Sequence, residues 1–148
     1  LKPEFKEYIK SVLANAKILS ETLKNNGFRI FSGGTDTHLM LVDLRPFNVT
    51  GKAAEVSLCN ANITCNKNGI PFDTEKMTIT SGIRLGSQAA TTRGFGLNEF
   101  KKVGELITKV IKGLSNNPDD NSKIESEVRK EVIELCSKFP IYNHLFKN

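Results

Sequence analysis

The chain has 148 residues, 39% of them apolar and 25% charged, with a net charge of +5. That length suits one domain with a real core and excludes two large ones. The composition is that of an ordinary globular protein, and no run approaches the roughly 18 apolar residues of a membrane span or the layout of a secretory signal.

In chain order, Phe5, Ile9, Val12, Ala16, Leu19 and Leu23 recur every three or four positions and predict a helix over 3–25. Asn25-Asn26-Gly27 stops it, with Gly27 free to take a positive φ. Phe28 to Phe31 reads as a short extended segment, followed by the turn-forming Ser32-Gly33-Gly34-Thr35-Asp36. This run is a turn signal first and an anion cradle second. His38 to Leu44 is apolar at both alternating sets of positions, as expected of a strand covered on two faces, and Pro46 ends it.

Thr50 can cap a helix from Gly51 to about Asn60, with Ala54, Leu58 and Ala61 as its core stripe. Ile63 to Cys65 predicts a brief strand, leading into the polar loop Asn66-Lys67-Asn68-Gly69-Ile70-Pro71. Met77 to Leu85 predicts a further strand, with Gly82 and Gly86 allowing close backbone approach. After a loop from Ser87 to Gly96, Asn98 can cap a helix carrying Phe100, Val103, Ile107, Val110 and Leu114. A polar linker over 115–121 precedes a last helix with Ser122 and Glu125 at capping-box spacing and an Ile124, Val128, Val132, Leu135 stripe, ended by Pro140. The fold class is therefore α/β of the α+β kind: a small, mostly antiparallel sheet with helices packed on it.

Chemistry-bearing residues are few. The lysines at 101, 102, 109 and 112 lie opposite Val103, Ile107 and Val110 on one helix, so the basic excess reads as a solvated face and nucleic acid is not an expected partner; nor is a membrane. Cys59, Cys65 and Cys136 are odd in number and lack metal-ligand spacing, which predicts small buried or half-buried thiols in a reducing compartment, the cytoplasm. His38 reads as a structural histidine satisfied by a carboxylate such as Asp36, and His144 stands in an unrelated context. No Walker or dinucleotide phosphate loop, nucleophile triad or metal centre is present in the spacing, so no catalytic or metal residue is assigned. One residue stands out: Arg84, among small and apolar neighbours in Thr80-Ser81-Gly82-Ile83-Arg84-Leu85-Gly86. It either points to solvent, pairs with an internal acid, or holds an external carboxylate or phosphate through its planar fork of donors.

Several segments occur together in one order: Ser32-Gly33-Gly34-Thr35-Asp36-Thr37-His38, Leu41-Val42-Asp43-Leu44, Thr50-Gly51-Lys52, Asn66-Lys67-Asn68, the Arg84 segment and Thr91-Thr92-Arg93-Gly94-Phe95. In that register the whole chain, to Phe139-Pro140-Ile141-Tyr142, resembles the C-terminal portion of serine hydroxymethyltransferase. The resemblance implies the small C-terminal domain of a fold type I enzyme, of the aspartate-aminotransferase type. It would comprise an entry helix over 1–25, sheet and loops over 28–96, and closing helices over 97–115 and 122–139. The large cofactor-binding domain would lie upstream of this segment.

The activity so implied interconverts serine plus tetrahydrofolate with glycine plus 5,10-methylenetetrahydrofolate, using pyridoxal phosphate, in a cytoplasmic homodimer. On this basis Arg84 binds the substrate carboxylate, and Asn68 contacts the folate pterin. Lys76, Met77 and Thr78 occupy a further folate-contacting segment, where bacterial members have Ser-Pro-Phe. Thr37 stands in place of the family's usual asparagine, Ser87-Gln88 in place of Thr-Pro, and Arg93 matches a family arginine near the active site without an assigned role. No lysine here, Lys52 and Lys67 included, matches the cofactor lysine, so the segment alone is expected to be inactive. The rival expectation is a free-standing, non-catalytic module of the same fold that binds a small anion or amino acid.

Overall fold

Four short strands, all antiparallel, form the floor of the molecule in a computed structural model that describes residues 2–141. The strands are β1 (Arg29–Ile30), β2 (Leu39–Asp43), β3 (Asn66–Asn68) and β4 (Gly82–Gly86), in the spatial order β1-β2-β4-β3. The helices are α1 (Pro3–Asn25), α2 (Gly51–Asn60), α3 (Gln88–Arg93), α4 (Leu97–Asn116) and α5 (Ser122–Ser137). The central ladder pairs Met40 with Leu85 and Val42 with Ile83, and all four side chains are buried. Onto them pack Ala16, Leu19 and Leu23 of α1, Ala54 and Leu58 of α2, and Phe100, Ile107, Val110 and Ile111 of α4. The predicted stripes of these helices therefore face one core. Phe5 does not, because the first turns of α1 overhang it and leave that ring 44% exposed.

Three helices end in the same way. At the end of α1, Gly27 takes φ +95°, the Gly27 amide donates to Lys24, and the Phe28 amide donates to Leu23. At the end of α2, Asn62 takes φ +63°, with Asn62 donating to Cys59 and Ile63 to Leu58. At the end of α3, Gly94 takes φ +108°, with Gly94 donating to Thr91 and Phe95 to Ala90. Each is a left-handed C-terminal cap whose next residue is apolar and turned inward: Phe28, Ile63 and Phe95.

That cap corrects one expectation. Ile63 to Cys65 is no strand, because Ile63 serves as the apolar residue closing α2. The strand is instead the polar Asn66–Asn68, held on β4 by the ladder and on α2 by Glu55, whose carboxylate accepts from the Lys67 amide at 3.0 Å and Lys67 Nζ at 3.1 Å. The expected strand from Met77 to Leu85 shrinks to Gly82–Gly86, since Thr80 at φ +59° and a turn returning the Thr80 amide to Lys76 break extension. The expected loop from Ser87 to Gly96 contains α3.

The caps differ too. Thr50 Oγ1 accepts from the Ala53 amide, as anticipated. However, the cap of α4 lies two residues earlier than Asn98, at Gly96, whose amide donates to Glu99. At α5 the Ser122–Glu125 box is not formed, because Glu125 accepts from Ser57 and Asn60 of α2 and Asp120 accepts from the Ser122 amide. Asn121 turns inward and donates to the Val110 carbonyl and Ser57.

β2 is covered on one face only. Met40, Val42 and Leu44 are buried, whereas Leu39 is exposed and Leu41 half-buried on the opposite face, where no helix packs among the described residues. Both alternating sets are apolar, yet the described residues cover only one.

Candidate functional site

Register builds the uncovered face of the sheet row by row, because residues paired across a ladder point the same way. Leu41, Arg84 and Asn66 form the central row, Asp43, Gly82 and Asn68 the next, and Leu39 faces Gly86. Arg29 extends the second row through its pairing with Asp43. Arg84 thus sits in the middle of this face, with Asn68 its diagonal neighbour across β3 and β4.

The charges on this face are unevenly satisfied. Asp43 is buried and receives Arg45 through Nε at 3.0 Å and Nη2 at 2.8 Å, with the Arg29 guanidinium 3.5 Å away. Burial works to raise the Asp43 carboxyl, but the hydrogen bonds from Arg45 and the charge of Arg29 hold it below the usual carboxylate range. Arg29 also lies over the Phe31 ring at 5.3 Å. Arg84, by contrast, is exposed and takes part in no ion pair or side-chain hydrogen bond among the described residues, so an internal acid is not its partner. A cleft beside it is lined by His38, Leu39, Cys65, Asn66 and Gln88.

The other predicted residues fall as follows. Asn68 is half-buried, its Nδ2 donating to the neighbouring Gly69 carbonyl at 2.8 Å. Lys76, Met77 and Thr78 are not on the sheet face. They project from the β3–β4 loop into solvent, Met77 93% exposed. Structure thus brings Arg84 and Asn68 together and leaves the 76–78 segment at the rim.

His38 is exposed and makes no hydrogen bond with Asp36; its carbonyl, not its ring, is engaged, accepting from Ser87. His144 lies outside the described residues. Burial pushes the Cys65 thiol up to about 12, with Glu55 and Cys59 adding to the effect, so it is an unreactive thiol. Cys136 is half-buried as expected, but Cys59 is exposed. Arg93 spans to α5, donating from Nε to the Phe139 carbonyl at 2.6 Å and from Nη2 to that of Cys136 at 3.0 Å.

A residue that sequence reasoning passed over is Asp73. Its Oδ2 accepts from the amides of Ser81 at 2.9 Å and Ile70 at 3.2 Å, and its Oδ1 from Ser81 Oγ at 2.6 Å and the Glu75 amide at 3.0 Å. Burial opposes the charge, but these four donors outweigh it and hold the carboxyl well below its ordinary range. The available signal was the Ile70-Pro71-Phe72-Asp73 turn, where an aspartate bonds nearby backbone.

The open face can do one thing chemically: bind a carboxylate or other small anion on Arg84 beside an amide and two leucines. It does not suit pyridoxal phosphate by itself. Its cations are arginines, which form no Schiff base, and Lys67 points to the opposite face, paired with Glu55.

Comparison with known proteins places this geometry in context. The serine hydroxymethyltransferase family model matches residues 1–107. The chain is 81% identical over 145 residues to serine hydroxymethyltransferase of Pelagibacter ubique, covering 98% of this chain and 33% of that protein. The same-named proteins of Paramagnetospirillum magneticum and Marinomonas sp. are 67% and 61% identical, each over 96% of this chain and 33% of their own length. The chain therefore spans about a third of the length of these curated relatives.

Proposed function

The chain belongs to the serine hydroxymethyltransferase family, and on that premise we propose that it is the C-terminal small domain of an enzyme interconverting serine and tetrahydrofolate with glycine and 5,10-methylenetetrahydrofolate. The observation that supports this most is the exposed Arg84, unpaired among the described residues, at the centre of a sheet face that none of them covers. Arg84 receives the substrate carboxylate through two parallel hydrogen bonds. Fixing that end orients the substrate for reaction elsewhere, an effect that can supply several kcal/mol of a barrier. Leu39 and Leu41 keep the neighbourhood of the pair dry once the face is covered. Asn68, one diagonal away, meets the pterin edge of the folate, and Lys76, Met77 and Thr78 border the same cosubstrate from the loop.

Pyridoxal phosphate supplies the electron sink for the reaction, held by a large domain preceding this segment; the working unit is a cytoplasmic homodimer. With the cofactor lysine outside these 148 residues, the segment alone is without activity.

The test is Arg84→Ala in a full-length chain carrying this segment. Serine and glycine affinity should fall about thirty-fold, the equivalent of about 2 kcal/mol for a charge-assisted pair, while cofactor absorbance is retained. Arg84→Lys should recover only part of it, because an ammonium lacks the fork. Unchanged amino-acid affinity in titrations of both variants would remove the role.

A further inference from the structure

Residues 69–81 form a long connection between β3 and β4, and most of it stands in solvent: residues 74–78 are all exposed. Loops of this length without regular structure are ordinarily mobile unless something ties them down. Its C-terminal end is tied to α2, where the Gly51 and Lys52 amides donate to the Thr80 and Ile79 carbonyls, and two side-chain anchors hold the rest. The apolar one is Ile70, buried against Gly82, where a side chain would collide with it. The polar one is Asp73.

Its carboxylate gathers donors from both ends of the loop. Ile70 lies two residues after Asn68, Glu75 adjoins the 76–78 segment, and Ser81 directly precedes β4, three residues before Arg84. Ser81 is 3% exposed and is gripped twice, through its amide and its hydroxyl. Among the described residues, the other side-chain links from this loop to the start of β4 are the Ile70 packing on Gly82 and a single bond from Thr80 Oγ1 to the Gly82 carbonyl at 3.3 Å, and neither reaches residues 73–78. We propose that Asp73 is a positioning residue that fixes the folate-contacting 76–78 loop in one pose relative to Asn68 and the Arg84 strand. This rests on the functional reading above and concerns the cosubstrate side of the same site.

The assignment makes a kinetic distinction. Arg84 is held by its own ladder to β2 and β3, so loosening the loop leaves the amino-acid pocket in place. The cosubstrate meets a segment whose pose depends on the clamp. In Asp73→Asn an NH2 group replaces one acceptor oxygen and turns donors towards N–H groups, so the clamp opens. Ser81→Ala removes only one of the four bonds and keeps the fold if Asp73→Asn does not.

In a full-length chain carrying this segment, Asp73→Asn should raise KM for tetrahydrofolate about ten-fold or more. Ser81→Ala should raise it by a smaller factor, and the dissociation constant for serine should stay within about two-fold in both. A lower melting temperature with both constants unchanged would overturn the proposal and leave Asp73 a purely structural residue. An equal loss for serine and tetrahydrofolate would also overturn it, since the clamp would then act on Arg84. Failure of the functional reading itself shows separately, in the unmutated protein: turnover that does not depend on tetrahydrofolate overturns that reading and this proposal with it.

Discussion

Phe72 occupies a costly position. The Asp73 amide donates to the Ile70 carbonyl at 3.0 Å, Pro71 is second in that turn, and Phe72 is third with φ +57°. Glycine or asparagine belongs there, because a bulky side chain is crowded by its own backbone in the left-handed region. The ring recovers nothing from the described residues, being 96% exposed. Phe72→Asn should therefore stabilise the fold by about 0.5–1 kcal/mol, read from denaturant midpoints. A lower midpoint would mean that the ring makes a contact worth more than the strain. Legibility differed among these residues for physical reasons. Arg84 was conspicuous because a permanent charge among Gly82, Ile83, Leu85 and Gly86 requires an explanation from composition alone. Asn68 carried no such tension, and only the family resemblance singled it out. Asp73 stayed hidden because three of its four bonds run to backbone amides, which every residue but proline carries.

Among the elements, those with a repeat were readable and those made by their partners were not. The stripes of α1, α2 and α4 follow the helical period over several turns, and from Val12 onward their residues are buried in the core or packed against it. β3 has no apolar alternation; Asn66-Lys67-Asn68 is extended because β4 and Glu55 offer bonds to its backbone. Ile63 looked like a strand residue since a β-branched apolar side chain suits both a strand and the closing contact of a helix. The C-terminus of α5 illustrates the same dependence. The Phe139 carbonyl, beyond the end of the helix, and the Cys136 carbonyl, which also accepts from the Phe139 amide, are both taken up by Arg93, while Phe139 packs on Phe95 at 4.8 Å between ring centres. Arg93→Met keeps the stem but loses the donors. It should destabilise the domain by about 1–2 kcal/mol and speed amide exchange at Lys138 and Phe139, whose amides close the last turn. Exchange no faster than in the parent would show that the Phe95 contact alone holds α5.

For the molecule as a whole, the depressed carboxyls set the acid limit. Asp43, Glu55, Asp73 and Glu131 all lie below their ordinary values in the folded state, through hydrogen bonds and nearby cations. Each contributes stability that is present above about pH 4, where the unfolded carboxyl is ionised, and that is lost as pH falls through the lower folded value. Melting temperature should hold from about pH 6 to 5 and fall steeply below 4, and Asp73→Asn should flatten that fall. An unchanged melting temperature at pH 3 would contradict it. The pairing of α1 with α4 has a different consequence. Gly104 lets α4 approach Thr22 of α1 so closely that an added side chain would clash. α1 opens the described chain and α4 comes only after the whole sheet and α3, so the longest helix lacks its main helical partner until the stretch carrying Gly104 has been made. On a ribosome, the side of α1 that meets α4 would stay open to chaperones while the sheet and α2 emerged behind it. The family match ends at residue 107, inside α4, so a chain cut there would keep the strand that carries Arg84 and lose the half-helix that closes the core over it.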